Sequence, residues 1–201
     1  MGRLRPLLPL ALVAILTALA LGLLVWQPAP QGPSIAARPT GGDFHLQSPD
    51  GPYRLQDSRG QVVLLYFGYT WCPDVCPTNL GYIALALGEL TPQDRERVQV
   101  LFVSLDPERD DLARLAQYVA FFHPRFKGLT GTPEQLNQVA GQYGASYRKV
   151  AQETSAAGYL LDHTAYTYVI DPQGRLNHTL DHATPPDQIA AAITRLLAKH
   201  D

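Results

Sequence analysis

Two continuous apolar runs dominate the hydrophobic pattern of the chain, Val62–Tyr69 and Val98–Leu105. Each is short enough to be a strand that is buried on both faces rather than a helix. Pro77–Leu90, between them, has helical character. After the second run, Asp106 and Pro107 predict the start of a helix that reaches about Phe122, with Asp as N-cap and Pro at the first helical position.

The second half of the chain continues the alternation of helix and strand signals. Thr132–Gln135 predicts a helix start with Gln at the capping-box position. Tyr166–Ile170 predicts a third buried strand, Asp171–Gly174 a turn, and Arg175–Leu180 the returning strand of a hairpin. Thr184 and the following proline predict the start of a final helix.

The resulting order is strand, helix, strand, helix, helix, strand, strand, helix. A parallel βαβ unit followed by a β-hairpin and a terminal helix is typical of a thioredoxin-like α/β fold. The segment Asp43–Leu55 is expected to add an N-terminal β-hairpin extension to that fold.

The first part of the chain has a different pattern. Leu7–Trp26 contains no charged residue and follows Arg3 and Arg5, so residues 1–26 predict a single transmembrane helix that would span roughly 30 Å. Basic residues before the span predict a cytoplasmic N-terminus and an inner-membrane protein with its soluble domain on the periplasmic side. The alternative is a cleaved signal peptide ending at Ala18-Leu19-Ala20. Both interpretations export the rest of the chain.

Composition refines this organisation. Residues 27–42 are rich in Pro and Gly and predict a flexible linker, which leaves 43–201 as the folded domain. The 201 residues carry a formal net charge of -2 and no long basic run. Nucleic acid is therefore excluded as a partner, because phosphate binding requires a concentrated positive surface.

The chain has two cysteines, Cys72 and Cys76, which follow the first buried strand where a helix is expected to start. A spacing of four residues on a helical turn places both sulfurs on one face. A helix N-terminus favours the thiolate, which is both a metal ligand and a nucleophile. Two other interpretations are weaker. A structural disulfide would close a very short loop, and structural zinc requires four Cys or His ligands.

Of the six histidines, His163 is the one that the predicted topology brings to the cysteines. It lies just before the third buried strand, in the loop that faces the cysteine turn in a thioredoxin-like fold. For the others we expect surface, capping or terminal positions, with His178 and His182 as weak candidates for accessory ligands. These others are His45, His123, His178, His182 and His200.

Two thiolates and one imidazole form a soft set of donors. Such a set suits Cu(I), and with an added weak ligand it can also hold Cu(II). Asp74 and Asp162 are near enough along the chain to orient these ligands through hydrogen bonds. Each aspartate is equally well explained as a turn or cap residue.

Several segments together resemble the Sco/SenC family, the copper chaperones of cytochrome c oxidase assembly. They are Leu65–Thr70, Cys72–Pro77, Ser104–Asp110, Gly128–Thr132 and Asp162–Thr164. The resemblance covers essentially everything after the linker. It implies a membrane-tethered protein in which Cys72, Cys76 and His163 hold copper for the CuA site of the oxidase. It further implies a metal-binding assembly factor rather than an enzyme. The expected partners are the CuA-bearing oxidase subunit and another periplasmic copper chaperone or thiol reductant.

The principal alternative is a membrane-tethered thiol-disulfide oxidoreductase that reduces the CuA cysteines. Trp71, directly before the first cysteine, favours this interpretation because thioredoxins have a tryptophan there. The longer cysteine spacing and the lack of a proline at the position of the thioredoxin cis-proline argue against efficient exchange. A peroxidase is a weaker interpretation, because nothing else around the cysteine pair forms a recognisable peroxide site. A purely structural disulfide leaves the placement of His163 unexplained.

Overall fold

In the computed structural model the described residues are 12–13, 15–19, 21–22, 39–152 and 158–199. The chain divides into two units, residues 1–37 and 38–201. The described part of the first unit is helical. No helix among the described residues is long and apolar enough to cross a membrane. Much of the predicted anchor Leu7–Trp26, and residues 27–38 of the predicted linker, lie outside the described residues.

The second unit contains a five-stranded mixed sheet in the order β5-β4-β3-β8-β9. Its strands are β3 (Val62–Gly68), β4 (Val98–Ser104), β5 (Phe126–Leu129), β8 (Thr167–Ile170) and β9 (Leu176–Leu180). β3 pairs in parallel with β4 and antiparallel with β8, and β4 pairs in parallel with β5. This is the thioredoxin-like arrangement that the sequence predicted.

The central strand β3 is buried along its whole length, as its continuous apolar sequence predicted. The helices that accompany the sheet are α1 (Val75–Glu89), α2 (Pro92–Glu96), α3 (Leu112–Phe122), α4 (Pro133–Gln142) and α5 (Pro186–Lys199). The predicted capping box of α4 is confirmed, since Thr132 and Gln135 each accept a backbone N–H of the other. The turn at Asp171–Gly174 is also confirmed, because Gly174 N–H donates to the Asp171 carbonyl.

The predicted start of the third helix is wrong. It begins at Leu112, with Asp111 as N-cap accepting from Arg114 N–H at 2.7 Å, not at Asp106. The Asp106 carboxylate instead accepts from Arg109 Nε at 2.5 Å and is buried. Residues 106–110 therefore form a separate loop between β4 and α3.

Two smaller sheets lie outside the central one. The predicted N-terminal hairpin is present as β1 (His45–Ser48) and β2 (Gly51–Arg54). A second hairpin, β6 (Tyr147–Ala151) with β7 (Tyr159–His163), was not predicted, and neither was the edge strand β5. His163 is thus the last residue of a strand rather than a loop residue as predicted. Four of the five β6 residues are exposed, so the strand has no alternation of buried and exposed positions.

Sheet register determines where the site lies. β8 runs antiparallel to β3, so Thr167 at the start of β8 faces Tyr66 near the end of β3. The turn that carries the cysteines follows β3, and His163 precedes β8 by a few residues. Both ends therefore meet at the same edge of the sheet.

Candidate metal centre

The cysteine turn connects the end of β3 to the start of α1. Cys72 N–H donates to the Tyr69 carbonyl at 3.3 Å, and Cys76 N–H donates to Cys72 Sγ at 3.4 Å. The exposed fraction is 9% for Cys72 and 0% for Cys76, and both thiols are free. Both cysteines are thus buried, but Cys72 keeps a small exposed fraction while Cys76 is fully enclosed by the core.

The β6–β7 hairpin brings His163 to this turn. Its Nε2 lies 3.4 Å from Cys76 Sγ, and the two sulfurs and one imidazole nitrogen all lie within 4.8 Å of one another. His163 Nδ1 lies 3.1 Å from the Thr164 carbonyl oxygen. A carbonyl oxygen can only accept, so Nδ1 carries a proton, and Nε2 is the ring nitrogen that faces the thiols.

Aromatic rings and one glycine fix the space around the ligand atoms. Tyr66 and Tyr69 meet the His163 imidazole edge-on, with ring centroids 6.2 and 5.9 Å away. At Gly68 a Cβ atom would lie 2.6 Å from Cys76 Sγ and 2.9 Å from the Phe102 ring. Glycine at the end of β3 therefore leaves the room that the second thiol occupies.

The two thiols differ in acidity. Hydrogen bonding from the Cys76 thiol, aided by His163 and two backbone amides, lowers the pKa of Cys72 to about 4 against the opposing effect of burial. Burial, followed by the hydrogen bond to Cys72 and its charge, raises the pKa of Cys76 well above its ordinary value. The pair therefore combines a thiolate at Cys72 with a neutral thiol at the more deeply buried Cys76.

The three donor atoms fit a single metal ion. Metal bonds to nitrogen and sulfur of about 2.0–2.3 Å can bridge two donor atoms that are up to about 4.6 Å apart, close to the separations here. Among the described residues, these side chains form the one cluster of His, Cys, Asp or Glu that could hold a metal. Sulfur and imidazole donors suit copper and zinc, and three donors leave a structural zinc site incomplete.

The two predicted aspartates do not join this cluster. Asp74 stands at the N-cap position of α1, where its carboxylate accepts no helix amide and accepts instead from Thr78 Oγ1 at 3.4 Å. Its backbone amide, not its carboxylate, contacts Cys72. Asp162 accepts from Arg148 Nη2 at 2.7 Å on the neighbouring strand. It is the Thr164 carbonyl that orients the imidazole. His178 and His182 also lie outside the cluster.

Sequence reasoning missed several residues that shape the site. Besides Gly68, they include the buried carboxylates of Asp106 and Asp110, and Tyr159, which contacts Asp106. Three of these four lie in segments that carried the family resemblance. The motif alone assigned them no role, because each acts through a partner that is distant in sequence.

Comparison with known proteins places this geometry in a family. Residues 33–198 match the SCO1/SenC family. The chain is 39% identical over 159 residues to the mitochondrial protein SCO2 homolog of Bos taurus, which covers 78% of this chain and 59% of that protein. The chain covers 59–62% of the length of three mammalian relatives.

Solved structures agree with this match. The apo Sco1 protein from Thermus thermophilus is 42% identical with a TM-score of 0.71, over 81% of this chain and 95% of that one. Arabidopsis thaliana ScoI with copper bound is 33% identical with a TM-score of 0.71, over 79% of this chain and 98% of that one.

Proposed function

The chain belongs to the SCO1/SenC family, and on that premise we propose that it is a copper metallochaperone that binds copper through Cys72, Cys76 and His163. The observation that carries the proposal is the convergence of two sulfurs and Nε2 within 4.8 Å. A similar protein, ScoI of Arabidopsis thaliana, has been solved with copper bound.

Copper uptake is expected to release a proton from Cys76. Metal ligands must be deprotonated, and Cys72 is already a thiolate near neutral pH while Cys76 is not. Two thiolates and an imidazole suit Cu(I), and a further weak ligand would allow Cu(II). Oxidation of the pair to a disulfide removes two ligands, so copper loading requires reduced thiols.

Delivery is proposed to follow the difference in exposure between the ligands. Cys76 is fully enclosed, whereas Cys72 is 9% exposed and His163 is half-buried. An incoming cysteine of the acceptor can therefore displace Cys72 or His163 first, and copper passes by exchange of one ligand at a time. The proposed acceptor is the CuA-bearing subunit of cytochrome c oxidase, and another periplasmic copper chaperone is the proposed donor.

The proposed location is the inner membrane, with the domain on the periplasmic side. The uncharged run Leu7–Trp26 after Arg3 and Arg5 supports a single-pass anchor. Such an anchor would keep the domain beside an integral membrane oxidase.

The test is copper binding by the full-length reduced chain, followed by oxidase maturation in its host. We expect one equivalent of copper and loss of the CuA signal in cells that carry Cys72→Ser or Cys76→Ser. Full oxidase assembly with either substitution would refute the proposal.

A second candidate function is reduction of the CuA cysteines, and the unequal thiols favour it. The Cys72 thiolate would attack a partner disulfide and release one partner thiolate. Cys76, once deprotonated, would then attack Cys72 Sγ, so that the partner leaves as a dithiol and Cys72–Cys76 becomes the disulfide. A thiol reductant would reset it. His163→Ala separates the two functions, because exchange would survive it and tight Cu(II) binding would not.

A further inference from the structure

The loop between β4 and α3, residues 106–110, contacts both elements that carry the proposed ligands. We propose that this loop is a positioning bracket for the metal site: Asp110 holds the cysteine turn, and Asp106 holds the histidine hairpin. The inference rests on the proposed function and deepens it, since it identifies residues that would set the ligand geometry without touching the metal.

Asp110 connects the loop to the cysteine turn. Its carboxylate is completely buried and accepts from Thr70 N–H at 2.8 Å, from Thr70 Oγ1 at 2.6 Å and from Ser104 Oγ at 2.6 Å. Thr70 precedes Cys72 by two residues. The path of the chain into the first ligand is thus set by a carboxylate that belongs to another element.

Arg114 adds contacts on the exposed side of the cysteine turn. Its Nε donates to Thr70 Oγ1 at 2.5 Å and lies 3.7 Å from Asp110 Oδ1. Its guanidinium group lies 4.6 Å from the centroid of the Trp71 ring. A cation over the face of an indole is attractive, so the residue next to Cys72 is held as well.

Asp106 connects the loop to the hairpin that carries His163. It accepts from the Tyr159 hydroxyl at 2.7 Å and from Arg109 Nε at 2.5 Å. Arg109 in turn donates to the Tyr159 carbonyl at 3.0 Å, with its guanidinium carbon 3.6 Å from the centre of the Tyr159 ring. Tyr159 begins the strand that ends at His163. The hairpin is therefore attached to the loop by the same strand that supplies the third ligand.

A buried carboxylate is costly unless it is fully hydrogen-bonded, and an apolar side chain could fill the same space. Neither carboxylate caps α3, because Asp111 does that. Both point instead to ligand-bearing segments, from positions four residues apart on one loop. A shared loop fixes the cysteine turn and the hairpin relative to each other. Residues that orient metal ligands in this way, without binding the metal, raise metal affinity.

The test uses full-length Asp106→Asn and Asp110→Asn, with Cu(II) binding followed by visible absorption and Cu(I) binding followed by chelator competition. For Asp106→Asn we expect Cu(II) affinity to fall about 10–100-fold, with the charge-transfer bands weakened in the direction of their loss in His163→Ala. Cu(I) affinity should change far less, because both sulfurs stay in place. For Asp110→Asn we expect both affinities to fall by a similar factor. If an aspartate variant does not fold, a milder substitution of its partner takes its place: Tyr159→Phe for Asp106→Asn and Thr70→Val for Asp110→Asn. Each removes a single hydroxyl group.

Asp171→Asn is the matched control. Asp171 is also a buried carboxylate, but it lies at the opposite end of β8 and accepts from Arg175 Nε at 3.0 Å. It should bind copper with the wild-type spectrum. Wild-type spectra and affinities in both loop variants, or an equal loss in Asp171→Asn, would overturn the bracket alone. Absence of copper binding in the wild-type chain would overturn the proposed function and the bracket together.

Discussion

The cysteine turn and the histidine hairpin meet at one site, but they differ in how deeply they are buried and in the contacts that hold them. The turn connects a strand that is buried throughout to a helix of the core, and Cys76 is completely enclosed. The hairpin is a separate two-stranded sheet whose first strand is mostly exposed. Side-chain bonds from Tyr159 and Lys149 attach it to the loop at 106–110.

The three ligands are therefore held unequally. The two sulfurs are buried in the core, on a turn that Asp110 also holds, so displacing them disturbs the fold. His163 is half-buried and lies on a hairpin that side-chain hydrogen bonds attach to the loop, so replacing it should cost less stability. Substitutions on the cysteine side and on the histidine side separate these two modes of support.

The largest effect is expected at the core side of the site. Cys76→Ser replaces the enclosed sulfur by a hydroxyl, which is a poor copper ligand. Copper affinity should fall by more than the 10–100-fold typical of residues outside the ligand sphere, as measured by chelator competition. Burying the serine hydroxyl away from water should also lower the free energy of unfolding by about 1–3 kcal/mol. Retained affinity would show that Cys76 is not a ligand.

Gly68→Ala tests whether the core leaves room for that sulfur. The added methyl would lie 2.6 Å from Cys76 Sγ, so we expect a loss of about 1–3 kcal/mol in chemical denaturation, together with weaker copper binding. Gly81→Ala in α1 is the control, because a Cβ there meets no atom within 4 Å. It should be neutral or stabilising, by at most about 1 kcal/mol. Equal effects of the two substitutions would contradict the packing account.

The acidity of Cys72 predicts an unusual pH profile in the reduced, metal-free chain. Because its pKa is lowered to about 4, Cys72 is a thiolate in the folded state throughout pH 6–8. Its alkylation by iodoacetamide should therefore vary less than about twofold across that range, whereas an ordinary thiol gains nearly 100-fold. In Cys76→Ala the main hydrogen bond is lost, the pKa of Cys72 rises, and the rate should increase with pH. A steep profile in the wild-type chain would refute the thiolate assignment.

The smallest effect is expected on the outer side of the hairpin. Arg148 and Asp162 form an exposed ion pair at 2.7 Å, with 77% and 58% of their side chains accessible. Arg148→Ala should change the unfolding free energy by less than about 1 kcal/mol and leave the copper spectrum unchanged. A change in the spectrum would restore Asp162 as a residue that orients His163.

The same division explains what the sequence could predict. The seven residues of β3 form an unbroken apolar run, and the cysteines follow it directly, so strand, turn and thiols could be read from local pattern. The capping box of α4 is equally local. His163 was found because the predicted topology brought it to the turn, although it was expected in a loop.

What escaped prediction depends on partners that are distant in sequence. β6 is exposed at most positions and becomes a strand through its pairing with β7. Asp106 looked like a helix cap, because its spacing to Pro107 suits one. Its actual partner is the Tyr159 hydroxyl, 53 residues away. A carboxylate that faces the interior carries no signal in the sequence until that partner is known.

The most direct test of the central claim is Cu(II) titration of the reduced full-length chain, read by visible absorption, for the wild type and His163→Ala. If His163 is the third ligand, the wild type binds one equivalent of copper with thiolate-to-copper charge-transfer bands, and the variant loses those bands while its thiols still react. Identical bands and stoichiometry in the two proteins would contradict the assignment of His163 as the third ligand.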